Sequence, residues 1–309
     1  MQLTTIPLDK TGKFSKLILD YVSNPDALSE FIAEKVTLEN FKKKLIEKKF
    51  SKEKRELLVK QLIVQYELTG IVAPSNVSLL LNKNTYTVTT GHQLCLLGGP
   101  QYFIHKIIST IKLSMQLKEA FPENNFVPVF WLASEDHDFE EINDVKFFKK
   151  NLKIDTHYTG PVGRLNANIF SNVIQELNKI LGDSKNDTEI RDLFTSAYKS
   201  GSLSKATSTW VNELFKDFGL VILDGDDIEL KRSFSPIIKD ELVNRKSIDA
   251  ILKTSGKLKE LGYSAQVTPR EINLFYIEDN IRERIVFENN KYLVLNTELS
   301  FSESEILSL

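Results

Sequence analysis

The sequence predicts an α/β fold built around a parallel sheet, with helical and β-meander segments inserted between its parts. Three stretches carry this reading. "TYTVTTG" (85–91) is short, β-branched and ends in glycine, while "FVPVFWLA" (126–133) and "FGLVILDGDD" (218–227) are near-continuous apolar runs that break into polar residues. Runs of this kind suit strands covered on both faces, as parallel strands are. A helical pattern separates the first two, and a strand–helix–strand crossover makes its strands parallel.

Residues 1–84 read as mainly helical. Asn24 and Pro25 are placed as N-cap and first residue of one helix. Ser51 caps a second, which carries Leu58, Leu62 and Tyr66 on one face and stops at Gly70. Residues 85–150 form the first strand–helix–strand unit. Pro100 is placed as the first helical residue there, Phe103, Ile104, Ile107, Ile108, Ile111 and Met115 make an apolar stripe, and Phe121-Pro122 closes it. Residues 151–217 read as a helical connecting segment, with patterns near 172–181, 188–199 and 203–217. Residues 218–261 hold the third strand and a long helical stretch interrupted at Pro236. From 262 to 309, "INLFYIE", "IRERIVF" and "YLVLN" alternate between turn residues and predict a β-meander.

Composition narrows the function classes. At 309 residues and 41% hydrophobic, the chain can bury a sizeable core. A formal net charge of -2 leaves no basic footprint, so no nucleic-acid partner is expected. The basic run "FKKKLIEKKFSKEKR" (41–55) includes Glu47 and Glu53 and reads as a solvated face. One cysteine rules out intrachain disulfides and zinc sites of several thiolates. No leader-like opening is present, and no apolar run approaches the ~20 residues of a membrane span. No membrane partner is expected, and the protein is expected to be cytoplasmic.

Ligands of an open parallel sheet bind beyond the carboxyl ends of its strands, which groups three polar loops. The first contains Gly91, His92, Gln93, Gly98 and Gly99. Its glycines permit close backbone approach, and the following helix start offers free N–H groups to an anion. It matches neither a P-loop nor a dinucleotide fingerprint. His92 suits contact with a phosphate or a charge developing on a carboxyl group, or else satisfaction by backbone carbonyls. Cys95, among Leu94, Leu96 and Leu97, reads as a packed thiol, and His105 and His157 as structural.

The second loop, "SEDHDFEE" (134–141), sets six ionisable groups in eight residues. Such a cluster is costly without a cation, a ligand or good solvation. Asp136, His137 and Asp138 are candidates for proton transfer. Ser134, Glu135, Asp136 and Asp138, with Trp131 at the end of the preceding strand, are candidates for gripping the amine or hydroxyls of a polar substrate. Asp136, His137 and Asp138 also suit a divalent cation as oxygen and nitrogen ligands, and the loop could equally be a solvated turn. The third loop, Asp224-Gly225-Asp226, can accept ribose hydroxyls or form an ordinary turn. "KTSGK" (253–257) superficially looks like a phosphate-holding lysine loop, but it lies in helical sequence with no preceding strand.

Four segments together resemble the bacillithiol biosynthesis cysteine-adding enzymes, a bacterial cysteine ligase family. They are "TGHQLCLLGGPQYFIHKIISTIKL" (90–113), "PVFWLASEDHDFEEIN" (128–143), "FGLVILDGDDIELKR" (218–232) and "LGYSAQVTPREINLF" (261–275). "GKFSKLILDYVSN" (12–24) adds to them. The resemblance implies a Rossmann-like core related to class I synthetase and nucleotidyltransferase folds. It implies ligation of the L-cysteine carboxyl to the amine of glucosaminyl-malate, with ATP, accompanied by Mg, activating cysteine as an adenylate. No protein-borne metal site is implied. Gly91, His92 and Gln93 then stand in place of the family's nucleotide-binding histidine motif, with Gly98 and Gly99 beside them. Ser134 to Asp138 line the substrate side, and Asp224, Gly225 and Asp226 meet the ribose or base.

In one respect the sequence departs from the family: relatives often carry a small or polar residue at the position of Cys95, which argues against a catalytic thiol. The resemblance also implies a C-terminal coiled coil that makes a homodimer of the full-length protein, and the chain is expected to stop before it. Two other readings stay open: a metal-dependent hydrolase or phosphotransferase using the 135–141 cluster, and a non-catalytic nucleotide-binding fragment.

Overall fold

The computed structural model describes residues 4–147, 150–199 and 201–309. Chain order runs α1 (Lys16–Ser23), α2 (Leu38–Glu47), α3 (Lys52–Thr69), α4 (Asn76–Leu79), β1 (Thr85–His92), α5 (Tyr102–Ala120), β2 (Asn125–Leu132), β3 (Asp144–Phe147) and β4 (Lys150–Lys153). It continues through α6 (Ser171–Ile180), α7 (Lys185–Ala197), α8 (Leu203–Phe215), β5 (Val221–Asp224), α9 (Ile228–Arg232), α10 (Ser235–Asn244) and α11 (Ser247–Glu260). It closes with β6 (Phe275–Glu278), β7 (Ile281–Glu288), β8 (Lys291–Val294), β9 (Ser300–Phe301) and α12 (Glu303–Ile306).

Two compact units emerge. The smaller joins residues 1–49 to 244–273, and the larger joins 50–243 to 274–309. The smaller is helical, with α1 and α2 capped by Ser15 and Thr37. Within it, Asp20 accepts from Lys16 and from the Tyr263 hydroxyl, both at 2.8 Å, and the Lys16 ammonium sits over the Tyr263 ring.

The larger unit is organised by a parallel sheet of order β1-β2-β5. Alternate residues of a strand face opposite sides, and each side here has its own helices. Phe130 of β2 meets Phe103 of α5, with ring centroids 5.0 Å apart, and Phe103 in turn meets Trp210 of α8. Val129 and Trp131, with Thr87, Thr89, Val221 and Leu223, instead face Leu58 and Leu62 of α3 and Ile237 of α10 across a mostly apolar cavity of about 330 Å³. Phe103, Phe130, Leu132, Val127 and Val221 are fully buried, and each such side chain contributes about 1.5–3 kcal/mol.

The sheet is a Rossmann-like α/β layer, as the sequence suggests, and most elements fall where the pattern places them. Ser51 accepts from the Lys54 amide, and Gly70 ends α3 with φ +74°. The meander is the antiparallel sheet β6-β7-β8-β9, whose β7–β8 turn uses Asn289 and Asn290, both at positive φ. That pairing is the signature of a tight hairpin turn. "KTSGK" lies within α11.

Several details differ. Asn24-Pro25 opens only a 3₁₀ turn, Pro25–Leu28, and the Asn24 side chain makes no cap bond. Helix α5 begins at Tyr102, two residues beyond Pro100, because the preceding turn consumes Leu96–Gly98 with Leu97, Gly98 and Gly99 at positive φ. Its buried face includes Thr110 and Ser114, while Ile108 and Met115 are exposed. The hydroxyls of Thr110 and Ser114 bond to the carbonyls of Lys106 and Thr110, one turn back, which makes their burial cheap. His105 is exposed rather than packed. The long helical stretch is three helices, broken before Ser235 and at Arg245, which has φ +49°; Pro236 sits in the first turn of α10 and causes no break of its own.

Candidate functional site

Register aligns the three strand ends. His92 pairs with Leu132, and Leu132 pairs with Asp224. The loops that follow therefore leave the sheet side by side and form a polar crest beyond its carboxyl edge. Backbone bonds lace them together: Ala133 N donates to His92 O at 3.1 Å, and Gly225 N donates to Leu132 O at 3.1 Å.

Side chains complete the lacing. From the first loop, Gln93 Nε2 donates to Asp136 Oδ2 at 2.9 Å. From the second, the buried Ser134 hydroxyl donates to Asp224 Oδ1 in a short bond and accepts from the Asp226 amide at 3.2 Å. The Asp226 amide also reaches Asp224 Oδ1 at 3.0 Å. Glu135 follows Ser134, and its Oε2 is buried with no hydrogen-bond partner among the described residues; burial raises its carboxyl above the ordinary range. A Cβ built on Gly225 would lie 2.5 Å from that oxygen and 2.7 Å from Trp131 Nε1, so glycine is required there. Trp131 itself remains 39% exposed at the rim.

Asp136 is anchored from several sides. Its Oδ1 accepts from the His137 amide at 2.7 Å and the Asp138 amide at 3.3 Å. Burial pushes its carboxyl up, but these amides, Gln93 and the Arg282 charge outweigh burial and hold it below the usual range. Asp138 is exposed. His137 Nδ1 lies 2.6 Å from Arg282 Nη1, contributed by β7. An arginine cannot give up its proton, so Nδ1 accepts and the ring carries its proton on Nε2. The Arg282 guanidinium stacks on Phe275 at 4.0 Å.

His92 is half-buried, between the rings of Tyr102 and Phe103, with Nδ1 3.0 Å from the Gln93 carbonyl and 3.6 Å from Cys95 Sγ. Burial lowers its pKa, and Lys106 adds to that effect. Lys106 donates to Gly91 O at 2.5 Å. Gly98 and Gly99 have an internal reason to be glycine. Beyond their positive φ, a Cβ on Gly98 would sit 3.2 Å from the Trp210 ring, and one on Gly99 would run into Cys95. Cys95 is buried, and desolvation pushes its thiol up to about 11.

The structure therefore brings Gln93, Trp131, Ser134, Glu135, Asp136, His137, Asp224, Gly225 and Asp226 together, while Gly98 and Gly99 lie in the packed turn below. It also adds residues that the sequence pattern does not reveal. Arg164 grips Asp226 at 2.7 and 3.2 Å, and Lys231 reaches it at 2.6 Å. These two cations outweigh burial and hold the acid below its ordinary range. Gln65 of α3 bonds the Asp224 amide at 2.9 Å and Asp227 at 2.8 Å.

A parallel layer covered by helices on both faces, with a crest of interlocked polar loops at its carboxyl edge, defines a Rossmann-like domain. Similarity to known proteins gives that class a family. The profile for "Bacillithiol biosynthesis BshC, N-terminal Rossmann-like domain" matches residues 1–309, and the chain belongs to that family. It is 46% identical to a Flavobacterium johnsoniae protein and 47% identical to one from Flavobacterium psychrophilum, both named "Putative cysteine ligase BshC". A protein of the same name from Christiangramia forsetii is 42% identical over 99% of the chain. The first two alignments cover 100% of this chain and 59% of each relative, so the chain spans about three fifths of their length. Among the described residues, no helix is long and apolar enough to cross a membrane.

Proposed function

We propose that the protein serves bacillithiol biosynthesis as a cysteine ligase, joining the carboxyl of L-cysteine to the amine of glucosaminyl-malate. ATP would activate the carboxyl as an adenylate. The observation that carries the reading is the tie of Ser134 to Asp224 and of Gln93 to Asp136. These bonds make one crest from three loops at the edge where such sheets bind ligands.

In this reading the loop around Gly91, His92 and Gln93 borders the nucleotide. The second oxygen of Asp224 is available to a ribose hydroxyl, while Asp226, engaged by Arg164 and Lys231, positions that wall. Ser134, Glu135, Asp136 and Asp138 border cysteine and its amine acceptor, and His137 offers its Nε2 proton. Magnesium would arrive with the nucleotide. A full-length homodimer belongs to the same proposal.

The metal-dependent alternative draws less support from the donor geometry. His137 Nδ1 is committed to Arg282, and Asp136 Oδ1 to two backbone amides.

The test is ligation of L-cysteine to glucosaminyl-malate with ATP by the full-length protein, followed by mass spectrometry of the product. Wild type should form the amide, and Asp136→Ala should lose it. Absence of product from wild type under reducing conditions sinks the reaction, and full activity in Asp136→Ala sinks the site.

A further inference from the structure

The protein leaves the Arg282 guanidinium under-used. Stacked on Phe275, it makes one hydrogen bond, to His137; Asp136 stands 3.8 Å away, and Nε is buried with no partner among the described residues. A guanidinium is a planar fork of donors shaped for a carboxylate or phosphate. Buried donors without acceptors are rare in native proteins, because leaving them unpaired is costly. Such a fork at a ligand-binding edge calls for an anion.

Glu135 shows the complementary deficit, an acceptor oxygen buried without a donor above Gly225. The two groups share one crest, since Glu135 directly precedes Asp136 in the second loop and Arg282 Nη1 stands 3.8 Å from Asp136 Oδ1. The surroundings select the anion. Beside Arg282, Asp136 and Glu135 disfavour an anion that carries no compensating cation. A carboxylate that brings its own ammonium meets both deficits without adding net charge.

We infer that Arg282 and Glu135 form a zwitterion subsite, the guanidinium taking the carboxylate and Glu135 the ammonium of an α-amino acid. This subsite rests on the ligase reading and deepens it by naming the residues that recognise cysteine as an amino acid. It also gives the meander a role, because β7 delivers the cation that the three crest loops lack.

The test crosses deletions on the protein with deletions on the ligand. Affinities of the whole chain for L-cysteine, cysteamine (no carboxylate) and 3-mercaptopropionate (no ammonium) are measured calorimetrically under reducing conditions. Losing a charge-assisted hydrogen bond is worth about 10- to 100-fold. Arg282→Gln should weaken L-cysteine by that factor and leave cysteamine unchanged. Glu135→Gln should weaken L-cysteine and cysteamine and leave 3-mercaptopropionate unchanged. Arg282→Lys, which keeps the charge, should recover part of the loss, and thermal midpoints verify folding of each variant.

Equal weakening of L-cysteine and cysteamine in Arg282→Gln overturns the subsite, because the arginine is then only structural. So does weakened binding of malate, titrated in the same way, with L-cysteine unaffected, which would assign Arg282 to the other substrate's carboxylates. Ligation measured in parallel separates the failures. A wild type that makes no product sinks the ligase reading, whereas product formed with an unchanged KM for cysteine in Arg282→Gln sinks the subsite alone.

Discussion

Substituting Gly163 by alanine should damage the fold and the crest together. Gly163 lies in the turn Val162–Arg164, where its amide donates to Ser134 O at 2.8 Å and the neighbouring Val162 amide donates to Asp136 O at 2.7 Å. A Cβ at this position would run into Ser134 Cβ and lie 2.5 Å from Ser204 Oγ and 2.9 Å from the Ser134 carbonyl oxygen. Two of those three obstacles belong to a buried loop that is itself tied to Asp224, so relief requires backbone movement. Overpacking of this kind costs about 3 kcal/mol, which in a unit of this size lowers Tm by about 6–12 °C. Differential scanning calorimetry reads the loss, and ligation activity reads the displacement of Ser134. Adding Ser134→Gly removes one obstacle and should recover part of the Tm, though not the activity. A Gly163→Ala protein within about 2 °C of wild type would refute the crowding argument.

Three further expectations follow from local geometry. The Asp226 carboxyl is depressed by its two cations, so its stabilising effect is present above its ordinary pKa of 3.8 and is lost as pH falls through the lower folded value; Asp226→Asn should flatten the acid limb of stability in urea titrations below about pH 4. The Tyr66 hydroxyl accepts from the Ile222 amide at 2.9 Å, so Tyr66→Phe should cost about 1–3 kcal/mol by leaving that amide unpaired, and an unchanged denaturation midpoint would contradict this. Cys95, with its thiol pushed up to about 11, should react with iodoacetamide at pH 8 far more slowly than free cysteine until the protein is unfolded, and Cys95→Ala should keep ligation activity.

The parts of the site that follow their own strands were legible in the sequence. "SEDHDFEE" and "DGDD" advertise themselves because an apolar run stops and a polar one begins, and alignment of the strand ends follows from parallel pairing. What the sequence hid arrives from a distance. Arg282 meets His137 across 145 positions, Gln65 meets Asp224 across 159, and Arg164 meets Asp226 across 62. No local period encodes such pairs. One signal was available for Arg282: in "IRERIVF" two arginines occupy alternate positions, hence one face of β7, and the Nε atoms of both Arg282 and Arg284 are buried. The glycine pair at 98–99 misleads for the opposite reason. Glycine permits close approach by a ligand or by the protein's own side chains, and here Trp210 and Cys95 take the space.

The outer edge of β5 has a consequence of its own. Its Ile222 and Asp224 amides are met by the Tyr66 hydroxyl and the Gln65 carbonyl of α3, so a helix supplies the acceptors that another strand would otherwise provide. An unprotected sheet margin is a template for stray β-pairing between molecules. Here those two amides are already taken by side chains of α3, so an incoming strand would first have to displace the helix. Resistance to edge-to-edge aggregation and the placement of Asp224 at the crest are thus two results of the same pair of contacts.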